Sequence, residues 1–163
     1  MFKKMFTRFS KVVAAGLVLS FMFLVPGAEA SHWGLSGGLQ THDPTIVRES
    51  GNTWWSASTG TGIGMKYSTN GGKTWTDGLP IFSRPLSWWK KYAPNMTTND
   101  VWAPDLEYYR GRYYCYYSVS EFGKNNSAIG LVSCSSISKG DWRDDGVVLY
   151  SRYGSSKFNA IDP

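Results

Sequence analysis

Long stretches with helical periodicity are absent from this chain, and so are apolar runs long enough to cross a bilayer as a helix. The main apolar run, Val12 to Val25, falls short of the roughly 20 residues that a transmembrane helix needs. Cysteine is scarce, with two residues, and 12 acidic residues face 17 Lys and Arg. The first absence argues against a helical fold, and the second argues against a transmembrane anchor.

Residues 1–30 account for most of the basic excess. Lys3, Lys4, Arg8 and Lys11 precede the apolar run, and Ala28-Glu29-Ala30 forms a small-residue cleavage site. This order predicts a secretory signal peptide and a secreted, extracellular protein, with a membrane anchor as the alternative. The remaining 13 basic and 11 acidic residues carry a net charge of +2, which removes the main support for a nucleic-acid partner. After cleavage we expect no membrane association.

Residues 31–163 contain short runs of β-branched and aromatic residues separated by Gly, Asn, Ser and Pro. The runs are 45–47, 53–57, 64–68, 107–109, 112–119, 128–133 and 147–150. Short strands at this spacing, with turn residues between them, predict one all-β domain.

Two parts of this domain repeat each other. Aligning residues 64–78 with 130–146 places Trp75 opposite Trp142, and upstream Gly51 aligns with Gly111. A unit of about 60 residues with four short strands is typical of a β-propeller blade, and a β-sandwich with two similar hairpins is the alternative. We therefore predict two blades and the start of a third. Two blades leave apolar faces uncovered, so we expect residues 31–163 to be the N-terminal part of a longer propeller.

An aspartate lies beside a proline at the expected start of each blade, in Asp43-Pro44, Pro104-Asp105 and Asp162-Pro163. The innermost strands of a propeller begin near its axis, so these carboxylates should converge. Carboxylates at close range must differ in pKa, and this difference separates an acid from a base. The pattern predicts a catalytic funnel, although any single Asp-Pro can also be a turn that starts a strand.

Four segments resemble, in order and spacing, the endo-1,5-α-L-arabinanases of glycoside hydrolase family 43. They are Thr-His-Asp-Pro-Thr-Ile at 41–46, Val-Trp-Ala-Pro-Asp at 101–105, the Ser-Glu-Phe-Gly hairpin within 117–130, and Asn-Ala-Ile-Asp-Pro at 159–163. The resemblance covers residues 40–163. It implies a five-bladed propeller, monomeric when complete, in a secreted enzyme that cleaves α-1,5-linked L-arabinan with inversion.

The resemblance also implies roles for two aspartates. Asp43 resembles the general base that activates water, and Asp162 resembles the aspartate that tunes the pKa of the acid and orients the catalytic groups. The family's general acid is a glutamate of a later blade, and neither Glu107 nor Glu121 matches its motif. Residues 1–163 alone should therefore be inactive or nearly so. The alternative function is a noncatalytic carbohydrate-binding propeller.

Further residues resemble the family's contacts with arabinan or an arabino-oligosaccharide. The substrate-binding candidates are Gly123, Asn126, Ser127, Asn159, Ala160, Ile161, Trp102 and Asp105. Trp102 is either a sugar platform or an interblade core residue, whereas Trp88 and Trp89 are predicted to be more exposed and to favour a platform. Endo and exo cleavage, and linear arabinan, branched arabinan and arabinoxylan, all stay open.

The two cysteines and a metal complete the expectations. Cys115 and Cys134 should lie nearly opposite each other on the two arms of one hairpin, where export permits a disulfide but two free thiols are equally compatible. In the complete family fold a calcium ion is implied, but its site depends on a histidine of a later blade. No cofactor and no metal are therefore predicted for residues 1–163. Residues 68–75 resemble the Asp-box turn of sialidases, with Asn70 replacing the aspartate.

Overall fold

The computed structural model describes residues 34–163, so the signal peptide predicted for residues 1–30 lies outside the described residues. These residues form strands and one short helix. The elements are β1 (Ser36–Gly37), β2 (Thr45–Ser50), β3 (Thr53–Ser58), β4 (Gly60–Thr61), β5 (Gly64–Ser68), β6 (Thr74–Asp77), α1 (Trp89–Tyr92), β7 (Asp100–Tyr109), β8 (Arg112–Ser120), β9 (Ser127–Cys134) and β10 (Arg143–Ser151). No helix within 34–163 is long and apolar enough to span a membrane.

The first blade is an antiparallel meander of β2, β3, β5 and β6, with β1 added in parallel along β6. Gly51 has a φ of +47° and reverses the chain between β2 and β3, a conformation that costs glycine little. Asn70 closes the turn into β6, since its Oδ1 accepts hydrogen bonds from Ser68 Oγ and from the Thr74 backbone, both at 2.9 Å. The Asp-box resemblance thus corresponds to a turn between two strands.

The second blade repeats this plan with β7, β8, β9 and β10, again an antiparallel meander. Gly111, with a φ of +84°, makes the turn equivalent to Gly51. The two-residue strand β4 leaves the first blade and pairs with β7 through Gly60 opposite Val101. A strand from one blade therefore extends the sheet of the next.

The seven predicted strands are all present, and the repeat of four strands is confirmed. The sequence missed the short β6 and the first half of β7. The missed half of β7 contains Ala103, with a φ of +40°, and Pro104, and the pairing with β8 is irregular between Trp102 and Asp105. These features interrupt the alternation by which a strand is recognised.

Aromatic side chains fill much of the core between the blades. Trp89 is fully buried and meets Phe82 edge to face, with ring centroids 5.0 Å apart. Gly130 lets Tyr117 and Trp88 pack closely, because a Cβ there would lie 2.5 Å from the tyrosine ring and 2.9 Å from Trp88. The expectation that Trp88 and Trp89 form an exposed platform is therefore wrong for Trp89. The lysines that suggested exposure, Lys90 and Lys91, lie within α1, whereas Trp89 and Tyr92 of the same helix are buried.

One carboxylate joins the two blades. Glu49 of β2 accepts hydrogen bonds from Trp55 Nε1 and Ser136 Oγ, both at 2.7 Å, and from the Ser138 backbone at 3.1 Å and its hydroxyl. Ser136 and Ser138 belong to the loop between β9 and β10 of the second blade. We call these contacts the Glu49 clamp.

The cysteines are buried free thiols. In the β8–β9 register Cys115 lies opposite Val132 and Cys134 lies opposite Tyr113, so the two cysteines are diagonal rather than facing. The two cysteines are therefore nearly opposite, with an offset of two residues. Burial raises the pKa of Cys134 to about 12 and raises that of Cys115 further.

Candidate active site

Asp43 lies just before β2, and two neighbours hold its carboxylate. The Thr59 hydroxyl donates to Oδ2 at 2.7 Å, and His42 Nε2 lies 3.2 Å from Oδ1. Thr59 Oγ1 also accepts the backbone N–H of Ala103 at 2.8 Å, so its single proton is committed to Asp43. The side chain of Asp43 remains 44% exposed. The result is an oriented carboxylate that water can reach.

Asp162 is held by the second blade. Its backbone N–H donates to Ser118 Oγ of β8 at 3.0 Å. The segment before it is fixed by the Ala160 N–H, which donates to Ser151 Oγ at 3.0 Å, and by Ser127 Oγ, which donates to Asn159 Oδ1 at 2.6 Å. The position of Asp162 is therefore determined by serines of neighbouring strands.

A shared backbone bend relates the two aspartates. Asp43, Ala103 and Asp162 each precede a proline and have φ values of +48°, +40° and +58°. Non-glycine residues rarely adopt positive φ, and such strain recurs at functional sites. In the second blade this position is Ala103, so Asp105 lies close to the blade start but is not the equivalent of Asp43.

Asp105 lies two residues further along its strand, at the level of Thr45 in the first blade. Thr45 Oγ1 donates to Asp105 Oδ1 at 3.4 Å and accepts the backbone N–H of Leu106 at 3.2 Å. The sequence alignment matched the aspartates by residue type, whereas the chain repeats the bend before proline. Asp105 therefore joins the two innermost strands.

The remaining predicted substrate residues cluster on the β8–β9 hairpin and the segment before Asp162. Gly123 lies at the open tip with a φ of +76°, and Asn126 Oδ1 accepts the Tyr153 backbone N–H at 2.9 Å. Ser127 and Ala160 are buried, while Ile161 is half-buried. The hairpin and this segment form one unit, in which the buried members support the exposed ones.

A cleft of about 380 Å³ adjoins this unit. Trp102 and Phe122 meet edge to face across it, with centroids 6.4 Å apart, and the Phe122 side chain is 95% exposed. Asn95, Thr98 and Lys124 add polar groups. Aromatic rings with polar neighbours suit a sugar, which has an apolar face and a polar edge.

Glu121 lies at this cleft with its side chain almost fully buried. Burial raises the pKa of its carboxyl group, but hydrogen bonds from the Asn95 backbone and from the Asn95 and Asn126 side chains lower it more, so the pKa falls below its ordinary value. A carboxyl group held in the charged form is a poor proton donor.

Three supporting residues had no assigned role in the sequence: Thr59, Ser118 and Glu121. Thr59 is 16 residues from the aspartate it contacts, and Ser118 is 44 residues from Asp162. In the sequence, these three residues could be recognised only as polar residues at or near the ends of predicted strands. Strand alternation alone does not show which of them point toward an aspartate.

Within residues 34–163, no three His, Cys, Asp or Glu side chains are close enough to hold a metal ion.

Residues 38–163 match the profile of the family described as "Glycosyl hydrolases family 43". The chain is 47% identical, over 99% of its length, to the "Extracellular endo-alpha-(1->5)-L-arabinanase 1" of Bacillus subtilis, of which it covers 50%. It is 38% identical, over 77% of its length, to the "Extracellular exo-alpha-(1->5)-L-arabinofuranosidase ArbA" of Cellvibrio japonicus, of which it covers 36%. The chain thus spans half or less of these two relatives.

A solved structure of similar fold carries the same kind of name as the sequence relatives. The Cellvibrio cellulosa α-L-arabinanase complexed with arabinohexaose superposes with a TM-score of 0.71 at 36% identity, over 77% of this chain and 40% of that one. The all-β propeller fold class, with two blades and the start of a third, is confirmed.

Proposed function

This chain belongs to glycosyl hydrolase family 43, and on that premise we propose that it forms the base-carrying part of a secreted enzyme that cleaves α-1,5-linked L-arabinan with inversion. The observation that carries the proposal is the matched pair of Asp43 and Asp162. Both lie in the same bend before a proline. The relatives are named extracellular, which agrees with the signal peptide predicted for residues 1–30.

Asp43 is the general base of this proposal. An inverting glycosidase places its base and its acid about 6.5 to 9.5 Å apart, so that a water molecule fits between the base and the sugar. Thr59 holds Asp43 in one orientation while part of its carboxylate stays open to water. In this arrangement Asp43 removes a proton from the attacking water as the glycosidic bond breaks.

Asp162 serves as the orienting carboxylate, and its negative charge favours the protonated form of a neighbouring acid. The family resemblance implies that this acid is a glutamate of a later blade. Glu121, which is held charged, and Glu107, which lies exposed on β7, do not suit the role. Residues 31–163 are then the first part of the propeller domain. The exposed Val148 and Tyr150 on β10 are consistent with a further blade packing there.

The substrate occupies the cleft beside Trp102 and the β8–β9 hairpin. Trp102 and Phe122 present ring surface to the sugar, and Asn95, Thr98 and Lys124 contribute polar groups. Arabino-oligosaccharides fit this combination of aromatic and polar groups. The cleft favours neither endo nor exo cleavage.

The test is Asp43→Asn in the family-length protein, meaning the protein extended to the length of its relatives. We expect turnover of linear arabinan to fall by roughly 10²- to 10⁴-fold, since an amide cannot accept the proton of water, while binding of arabino-oligosaccharide is retained. Asp77→Asn is the matched control, because it makes the same change at an exposed carboxylate of the same blade. It should leave turnover unchanged.

Two results would contradict the proposal. Wild-type rates in Asp43→Asn would remove Asp43 from the mechanism. A wild-type protein that binds arabino-oligosaccharide without cleaving it would instead indicate a noncatalytic carbohydrate-binding propeller.

A further inference from the structure

The buried carboxylate of Glu121 accepts four hydrogen bonds from two asparagines. Oε1 accepts the Asn95 backbone N–H at 2.8 Å and the Asn95 side-chain amide at 3.2 Å. Oε2 accepts the same amide at 3.2 Å and the Asn126 amide at 3.1 Å. Lys124 Nζ lies 4.0 Å from Oε2. A buried carboxylate surrounded in this way holds its neighbours in one arrangement.

These contacts join two walls of the cleft that are distant in sequence. Asn95 begins the segment 95–98, which lies between α1 and β7 and forms one wall. Asn126 is the last residue of the loop between β8 and β9, and Phe122 of this loop forms the other wall. No strand pairing connects segment 95–98 to the hairpin. The Glu121 carboxylate is therefore a direct polar link between these walls.

The link continues to the segment that carries Asp162. Asn126 uses its amide nitrogen for Glu121 and its amide oxygen for the Tyr153 backbone N–H. Both ends of the Asn126 amide are thus engaged, and the amide has one favourable orientation. A substitution at Glu121 removes direct contacts with the hairpin and with segment 95–98, whereas it affects the segment before Asp162 only through Asn126.

We propose that Glu121 is a positioning residue that fixes the separation of the cleft walls and so sets the affinity for the sugar chain without taking part in bond cleavage. This role rests on the proposed function, because it takes the cleft to be the sugar site. It differs from the roles of Asp43 and Asp162, which lie at the reacting groups.

Glu121→Gln in the family-length protein tests the role. Glutamine keeps the shape, but its amide nitrogen must face either the Asn95 backbone N–H or the Asn126 amide, and donors then oppose each other. We expect KM for arabino-oligosaccharides to rise roughly tenfold while kcat changes by less than about twofold. Hydrogen exchange of the Asn95 amide should also accelerate, since that N–H donates to Oε1.

Two comparisons make the result specific. Glu107→Gln makes the same chemical change at an exposed position of the same blade and should leave KM unchanged. Asn95→Ala removes the side-chain donors at an exposed residue, keeps the charge of Glu121, and should raise KM in the same direction. If Glu121→Gln does not fold, Glu121→Asp decides the question, because it keeps the charge but its shorter side chain cannot reach both Asn95 and Asn126.

The outcomes separate this role from the proposed function. Active wild-type protein with an unchanged KM in Glu121→Gln, or in Glu121→Asp where that variant decides, overturns the role of Glu121 alone. A fall in kcat at constant KM also overturns it, because it would place Glu121 in the chemical step. Wild-type protein that neither binds nor cleaves arabino-oligosaccharides overturns the proposed function and this role with it.

Discussion

Replacing Glu49 with glutamine should loosen the contact between the two blades. In the Glu49 clamp, Oε1 accepts from Ser136 Oγ and the Ser138 backbone, and Oε2 accepts from Trp55 Nε1 and the Ser138 hydroxyl. Hydroxyl groups can rotate to accept a hydrogen bond from the new amide. The Trp55 indole and the Ser138 backbone can only donate. Whichever way the glutamine lies, its NH₂ group therefore opposes one of these two donors.

The magnitude follows from that count. One opposed donor and the loss of charge on the remaining hydrogen bonds give a destabilisation of about 2 kcal/mol, since a hydrogen bond to a charged group contributes about 1.5–3 kcal/mol. Ser138 is exposed, so water replaces part of its contribution and the upper end of the range does not apply. In the family-length protein, which is about twice as long as this chain, 2 kcal/mol corresponds to a fall in Tm of roughly 4 °C.

The effect should depend on pH. Burial raises the pKa of Glu49, but hydrogen bonds from Ser138, Ser136 and Trp55 outweigh burial and hold it below the ordinary value of 4.5. A group with a lowered pKa in the folded state stabilises the protein above its unfolded pKa, and this contribution is lost as pH falls through the folded pKa. The Tm difference between wild type and Glu49→Gln should be constant near neutral pH and should shrink below 4.5.

Thermal unfolding of both proteins between pH 3 and pH 8, followed by circular dichroism, measures this difference. Glu107→Gln is the control for the loss of one exposed negative charge and should change Tm little. An unchanged Tm in Glu49→Gln at neutral pH would refute the clamp. A Tm difference that persists unaltered at pH 3 would refute the linkage to ionisation.

Three further predictions concern the site and the core. Thr59→Val should lower kcat on arabinan about tenfold with little change in KM, because Asp43 loses the hydroxyl that orients it. Thr59→Ser keeps this hydroxyl and should retain the wild-type kcat. Equal kcat values for the wild type and both variants would show that Thr59 does not orient Asp43. Asp162→Asn should move the basic limb of the kcat/KM profile to lower pH, and an unmoved limb would leave Asp162 an orienting role only. Cys115 and Cys134 should not react with a thiol reagent in the native protein and should both react after denaturation, whereas rapid native reaction would contradict their burial.

Local patterns predicted the strands and the repeat well. The run from Arg112 to Val119 is rich in tyrosine and follows a turn at Gly111, and β8 extends from Arg112 to Ser120. Gly51 and Gly111 aligned in the repeat, and both adopt positive φ at equivalent turns. These features depend on residues close together in sequence, so composition and spacing suffice to identify them.

The site was only partly predictable. The prolines beside Asp43 and Asp162 predicted that both lie at blade starts, and both adopt the same bend, whereas Asp105 lies two residues beyond it. The predicted exposure of Trp89 was wrong, since Trp89 is buried, whereas Trp102 lines the cleft as one of its two alternatives allowed. An aspartate or a tryptophan near a turn has the same local pattern whether it faces the core, a neighbouring strand or the solvent.

The amino-acid sequence by itself determined the strands, the turns between them and the two aspartates before proline, because each depends on backbone preferences of a few adjacent residues. Only the tertiary structure decided what surrounds those aspartates. The Thr59 hydroxyl joins Asp43 to the backbone of Ala103, which is 44 residues from Thr59, and Glu49 reaches Ser136 across 87 residues. Contacts at such separations arise when the blades pack and buried polar groups find partners, and the packing of whole blades selects which polar residues meet.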